Sequence, residues 1–250
     1  MPWLFSVLLA ATARAPTVPA TVAVLHEPAV SIYREVAREI RRTLTRRVIF
    51  VAPGQRWELP YPPQAVIALG DNADADAAGR WPDRARASLL MWRPAIPTRA
   101  SSLFVSARVE PACTSRRLAE VPGSAPWLIL ASASDTVAAR LAQSLDAQLI
   151  QGDAAEIQRR LRQISFEPGA RIWLRNDPDL AVAIWLQYLG HMNRFPAITV
   201  GSDGRGLSRF GIQSWVQPNL SQLQEDAVDW VKRATRSRRV RRQTKPLRCR

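Results

Sequence analysis

A chain of 250 residues, 47% of them hydrophobic, can fill one large or two medium cores, which excludes a chain disordered throughout. Its net charge of +14 would suit a nucleic-acid or membrane-surface binder, but residues 232–250 (KRATRSRRVRRQTKPLRCR) hold ten basic side chains and no acidic one, which leaves only +4 for the rest. With His26 and His191 the only histidines and Cys113 and Cys249 the only cysteines, a cysteine-histidine zinc site has no ligand set, and neither metal nor cofactor is expected.

The chain opens with an apolar run over residues 3–11, and Ala11-Thr12-Ala13 then fits the small-x-small pattern of a signal-peptidase site. No Lys or Arg precedes the run. Residues 1–20 are therefore expected to be a signal peptide cleaved near Arg14, with the mature protein periplasmic or secreted; a buried first strand is the alternative. The run is too short to span a bilayer as a helix, and no cysteine follows it to carry a lipid.

Residues 21–25 (TVAVL) read as a strand. Ile32, Val36, Ile40 and Leu44 then recur four apart, with arginine and glutamate between them, which predicts an amphipathic helix. Residues 48–51 (VIFV) and 65–69 (AVIAL) are further strands, and the second ends at Gly70, Asp71 and Asn72. An alanine-rich helix is expected over residues 73–87, a fourth strand over 89–92 and a fifth over 103–107.

A proline-bearing segment, 110–126, parts this half from the next. Residues 127–131 (WLILA) form a buried-strand run, Asp135 is the expected N-cap of the following helix, and Val137, Leu141 and Leu145 share one of its faces. After a short strand at 147–150, Asp153 and Glu156 resemble a capping box ahead of Ile157, Leu161 and Ile164. Residues 171–174 make a strand, and Asn176 and Asp177 before Pro178 suit a helix start that runs to Leu189. The last strands end at Val200 and Val216, and an amphipathic helix reaches Lys232.

Strands alternating with helices of ten to fifteen residues imply parallel sheets with right-handed crossovers. The fold class expected is α/β, with two doubly wound parallel-sheet lobes and a cleft between them. Residues 21–108 and 217–235 would form the N-terminal lobe, 109–216 the C-terminal lobe, and 236–250 a disordered basic tail. Ligands bind outside the carboxyl ends of such strands, where loops diverge and helix N-termini present unpaired N–H groups. That rule selects His26, Glu27, Gly70, Asp71, Asn72 and Arg93 in the first lobe. In the second it selects Ser132, Ser134, Asn176, Asp177, Ser202 and Asp203. Each also has a plainer role open to it: Asp135, Asp153 and Asp177 can cap helices, Asn72 can form an Asx-turn, and Arg93 can be a solvated loop residue. Trp127, Trp173 and Trp230 fall in core patterns, whereas Trp92 sits where it could line the cleft.

The segment AITVGSDGRGLSRFGIQSWVQPNLSQLQEDAVDWVK (197–232) resembles the closing unit of type I periplasmic solute-binding proteins. VAVLHEPAVSIYREVAREIRRTL, QAVIALGDNADADAA and ARVEPACTSRRLAEVPGSAPWLILAS extend that resemblance, over residues 21–235, to the ABC-transporter substrate-binding family of the tryptophan/tyrosine type. The resemblance implies a hinged monomer that closes on a small polar solute (an amino acid, amide or sugar) and presents the closed form to an ABC permease. It implies ligand contacts from Asp203, Gln217 and Asn176. The chain is shorter than most members, and its basic tail lies outside the family's pattern.

No Walker A sequence, G-x-S-x-G elbow or G-x-G-x-x-G after the first strand occurs, and neither histidine has a catalytic context, so no enzyme is expected. The competing reading is a degenerate binding-protein fold that meets polyanions, nucleic acid or an anionic surface through its tail. That tail lacks the interleaved aromatics that stack on bases. A bridge between Cys113 and Cys249 would pin it to the body; a flexible tail favours two free thiols.

Overall fold

The computed structural model describes residues 21–55, 61–93, 95–97, 100, 102–164, 169–175, 199–202, 214–216, 218–236 and 242–249. Strands β1 (Thr21–His26), β2 (Arg47–Val51), β3 (Ala65–Leu69), β4 (Ala85–Met91) and β5 (Ser102–Val109) share one sheet with β11 (Gln243–Leu247), in the order β11-β5-β4-β3-β1-β2. Every neighbouring pair is parallel. Parallel strands need cover on both faces, and the alternation along β1 provides it. Val22 and Val24 join the core under α1 (Ser31–Thr43) and α6 (Leu220–Arg236), while Ala23 and Leu25 join the core under α2 (Asp71–Arg80). Helix α1 buries Val36, Ala37 and Ile40, and α6 buries Leu223, Ala227, Val228, Trp230 and Val231, so these two helices pack side by side. Truncating the fully buried Trp230 to alanine would cost about 3–5 kcal/mol in lost transfer energy and cavity.

The second sheet holds β6 (Trp127–Ser132), β7 (Gln148–Gly152), β8 (Arg171–Leu174), β9 (Thr199–Ser202) and β10 (Ser214–Trp215), ordered β10-β9-β8-β6-β7, again all parallel. Helices α3 (Pro111–Glu120), α4 (Ala138–Ser144) and α5 (Ala154–Arg162) belong to this half. The Asp153 cap forms as its spacing predicts, its Oδ1 accepting the Glu156 N–H at 2.8 Å. Trp127, Trp173 and Trp230 are all core residues, and the first two meet edge to face with centroids 6.0 Å apart. The expected architecture, α/β with doubly wound parallel sheets, is the one observed.

Several local expectations need correction. The helix predicted over 73–87 stops at Arg80, and β4 begins at Ala85. Pro82 disfavours helical backbone at Trp81, and the alanines beyond it are small strand residues rather than helix formers. Arg86 can occupy a buried strand because its Nε pairs with Asp74 Oδ1 at 2.9 Å. Segment 110–126 is not mere linker, since Pro111 occupies the tolerant first turn of α3.

The largest correction concerns the tail. Expected to be disordered, it instead supplies β11, which adds to the six-stranded sheet beside β5, with Gln243 opposite Leu103. Leu247 is buried, Lys245 Nζ reaches Asp226 on α6, and the Glu110 N–H donates to the Leu247 carbonyl at 3.0 Å. The register slips between Lys245 and Leu247, where Pro246 cannot donate to the ladder. Cys249 then bridges to Cys113 in the first turn of α3, with Cα atoms 5.9 Å apart, so the two thiols are not free. An isolated pairing of Pro218 with Cys249, and the Asn219 N–H on the Arg248 carbonyl at 2.7 Å, fix the same juncture to the start of α6.

Candidate functional site

At the carboxyl edge of the six-stranded sheet, Gly70 leaves β3 at φ +88°, a conformation that favours glycine. A Cβ there would also fall 2.5 Å from the Tyr33 hydroxyl, so Tyr33, on α1, lies directly over the turn. Burial, with Asp71 and Glu27 nearby, pushes the Tyr33 hydroxyl pKa up to about 12. Asp71 Oδ1 accepts the backbone N–H groups of Trp92 (3.0 Å) and Arg93 (3.2 Å), and thereby clamps the end of β4 to the start of α2. Asn72 donates its side-chain amide to Glu27 at 2.7 Å rather than closing an Asx-turn. His26 is buried at the end of β1, and its Nδ1 has no hydrogen-bond partner among the described residues. Burial, the largest cause, lowers its pKa.

Strand β4 reaches this edge through an irregularity. Leu90 has φ +55°, and the pairing with β5 slips between Leu89 and Met91. Such a bulge re-aims the residues that follow it, here Trp92 and Arg93. Below the same loop, Asp74 accepts from the Ser88 hydroxyl at 2.5 Å and from the Ile96 N–H at 2.9 Å, and Arg86 Nη2 bonds the Ile96 carbonyl. The buried Asp74–Arg86 pair thus holds the loop after β4 from beneath.

Arg108, on β5, joins this edge to the second sheet. Its Nη1 donates to the Trp92 carbonyl at 2.9 Å, its guanidinium lies 5.7 Å from the Trp92 ring centroid, and its Nη2 donates to Ser134 Oγ at 3.3 Å. The buried Ser132 ends β6 and Ser134 lies in the turn after it, their hydroxyls 3.1 Å apart. Beside them Asp135, also buried, performs two tasks. Its Oδ1 accepts the N–H groups of Val137 (2.9 Å) and Ala138 (3.2 Å) in the turn that enters α4, whose N-cap position is Val137 rather than the expected Asp135, and its Oδ2 accepts from Arg175 Nε at 2.8 Å. Arg108 Nε stands 3.6 Å from that same Oδ1. Gln151, on β7, ties the turn by donating to the carbonyls of Ser132 (3.0 Å) and Asp135 (2.9 Å). Two guanidinium groups therefore face one carboxylate where the carboxyl edges of the two sheets meet.

Of the residues selected from the sequence, His26, Glu27, Gly70, Asp71, Asn72, Trp92 and Arg93 lie together at the first edge, and Ser132 and Ser134 at the second. Ser202 closes β9 opposite Leu174, next to that edge. Asn176, Asp177, Asp203 and Gln217, like residues 1–20 and the helix expected up to Leu189, lie outside the described residues. Sequence reasoning missed Arg108, Arg175 and Tyr33. Arg175 carried a legible signal, as a charge directly after the apolar run of β8; Arg108 and Tyr33 sit inside elements, where pattern alone marks them as solvent-facing. No group of side chains suited to a metal ion occurs among the described residues.

No family model and no curated protein matches the chain. Solved structures do. A sugar-binding transcriptional regulator of the LacI family from Enterococcus faecalis aligns at TM-score 0.59 and 12% identity, covering 94% of this chain and 97% of that one. A probable transcription regulator from Thermus thermophilus aligns at TM-score 0.55 and 16% identity over 92% and 94%. An ABC domain from Streptococcus pneumonia, solved in complex with L-Trp, aligns at TM-score 0.60 and 8% identity over 90% and 89%. Together with the two parallel sheets and their strand orders, these similarities define the fold as type I periplasmic-binding-protein-like.

Proposed function

We propose that the protein is a non-catalytic, extracytoplasmic solute-binding protein of an ABC-type uptake or sensing system, whose lobes close on a small polar solute: an amino acid, an amide or a sugar. The observation that carries this reading is the meeting of Trp92, Arg108, Ser132 and Ser134 across the carboxyl edges of two parallel sheets, the place where open α/β sheets bind ligands. Trp92 offers an apolar wall, the serines offer hydroxyls and Arg108 offers N–H donors, a combination suited to a small solute with oxygen acceptors. Support also comes from two proteins of the same fold, one described as sugar-binding and one solved with L-Trp. Export rests on the apolar run and the Ala11-Thr12-Ala13 site.

A thermal-shift screen with L-tryptophan, the other amino acids, their amides and simple sugars tests the reading, because a ligand that binds only the native state raises Tm. A hit should also reduce the radius of gyration in solution scattering as the lobes close. A screen without any hit, or a hit whose effect survives in Arg108→Gln, would remove the cleft from consideration.

A further inference from the structure

Among the described residues, two passages of main chain join the halves of the molecule. β5 leaves the first sheet through Glu110 straight into α3, and the chain returns from β10 through Val216 and Pro218 to Asn219 and α6. Lobes joined in this way turn about the line through their crossings, where a few residues absorb the change in φ and ψ. The C-terminal residues lie across both crossings. At the first, the Leu247 carbonyl accepts from the Glu110 N–H at 3.0 Å, and the Cys249 N–H donates to Cys113 Sγ at 3.2 Å. At the second, the Arg248 carbonyl accepts from the Asn219 N–H at 2.7 Å, and Cys249 pairs antiparallel with Pro218.

The disulfide is placed where it spans a crossing. Cys249 follows closely on β11, which its pairing with β5, the buried Leu247 and the Lys245–Asp226 contact root in the first sheet. Cys113 lies beyond Glu110, in the first turn of α3. That helix belongs with the second sheet and packs on α4, where the Ser115 and Ser144 hydroxyls stand 3.3 Å apart. A bond that only constrained the unfolded chain would serve as well within one half. This one ties the edge strand of one sheet to the first helix of the other half, and the hydrogen bonds of Arg248 and Cys249 extend the tie to the second crossing.

We infer that the Cys113–Cys249 bridge is a hinge strap that limits how far the cleft opens in the unliganded protein, and that its reduction releases the limit. This role rests on the lobe closure proposed above and adds its regulation. Cleft and strap share one edge, because Arg108 and Glu110 flank the last residue of β5, so a restraint at Glu110 acts on the contact of Arg108 with Ser134. With the bridge in place, the ligand-free lobes stay near the arrangement in which that contact forms, and less of a solute's binding energy goes into closing them. Cys249 is partly exposed and open to a dithiol. The dithiol supplies two electrons and two protons, turns the bridge into two thiols and becomes a disulfide itself.

The test uses full-length, ligand-free protein with spin labels on ketone-bearing unnatural residues at Glu35, exposed on α1, and Ala155, exposed on α5, so that the native cysteines stay untouched. Pulsed electron resonance reads the distribution of distances between the labels. Oxidised protein should show one narrow distribution. Dithiothreitol, or Cys113→Ser together with Cys249→Ser, should broaden it about twofold toward longer distances. Dithiothreitol should have no further effect on the variant. Hydrogen exchange of the β11 amides is followed alongside, because a strap acts while β11 stays paired. Equal widths in oxidised and reduced protein overturn the proposal. So does broadening that comes with lost β11 protection, since the bond would then hold the strand and not the hinge. Should the double variant fail to fold, oxidised wild type is reduced in its native state and read before any unfolding, by the same criteria. No solute is added, so a screen without a hit counts against the cleft and leaves this outcome unaffected.

Discussion

Arg108, on β5 of one sheet, and Ser134, just past β6 of the other, stand 26 residues apart in sequence, yet the Arg108 Nη2 donates to the Ser134 hydroxyl at 3.3 Å. The same guanidinium holds the Trp92 carbonyl at 2.9 Å, so one side chain reads the position of both lobes. Any rotation that opens or closes the cleft must lengthen or remake these bonds.

Arg108→Gln should therefore abolish the Tm rise produced by whichever amino acid, amide or sugar stabilises wild type. The ligand-free variant should stay within about 1–2 kcal/mol of wild type, because the bonds lost are few. Urea denaturation with and without the hit measures both. Wild-type binding in this variant would place the ligand somewhere other than the meeting of the two sheet edges.

Asp135 is predicted to matter more for folding than for binding. It holds the turn into α4 and pairs with Arg175, itself buried, so Asp135→Ala should cost about 3–5 kcal/mol, visible as a lower urea midpoint at unchanged slope. Asp135→Asn keeps an acceptor for the Val137 N–H and should lose less. Equal losses in the two variants would argue that the charge is irrelevant.

The Cys113–Cys249 bridge closes a separation of 136 residues, and constraint of the unfolded chain by such a link contributes roughly 2–4 kcal/mol. Reduction, or Cys249→Ser, should lower Tm, and reducing agent should have no further effect on the variant. A Tm indifferent to both would mean that β11 stays docked without the bond.

Stability should fall at both ends of the pH scale for separate reasons. Burial lowers the His26 pKa, so the unfolded chain binds a proton near pH ~6.5 that the folded state resists; His26 contributes fully above that pH, and its share is lost on acidification. The Tyr33 hydroxyl, pushed up to about 12, does the reverse: its contribution is complete below the ordinary value of ~10 and disappears as pH climbs toward 12. Tm recorded against pH should show a flatter acid limb in His26→Leu and a flatter alkaline limb in Tyr33→Phe. An acid limb unchanged in His26→Leu would assign it to other groups.

Most of the sheet order was legible because buried parallel strands are written as short apolar runs: TVAVL, AVIAL and WLILA each became a strand within a residue of the predicted bounds. β11 was not legible. QTKPL has one buried apolar residue and a proline, and its strand conformation comes from an open edge on β5 that no local pattern reveals. The topological rule picked residues that lie together at the carboxyl edges of the two sheets, since strand ends follow from strand order. It could not separate clamps such as Asp71 from groups that face a ligand, because both sit at the same turns and differ only in which backbone amides lie within reach. Arg108 escaped for a related reason, as an arginine in a strand reads as solvent-facing until a second sheet is placed against it.

The partnership of β5 with β11 also bears on how the chain acquires its fold. Strands β6 to β10 are contiguous and complete a sheet from residues 127–215, whereas the first sheet must wait for residues 243–247 before its β5 edge is covered. During synthesis the second lobe can therefore fold as a unit while the first remains open at one margin, exposing unpaired backbone to any extended neighbour. Closing that margin is a contact of long sequence separation, which makes it slow relative to the local helix and strand pairings. The Cys113–Cys249 bond, which ties the residues just beyond β11 to α3, then secures that margin once it is closed.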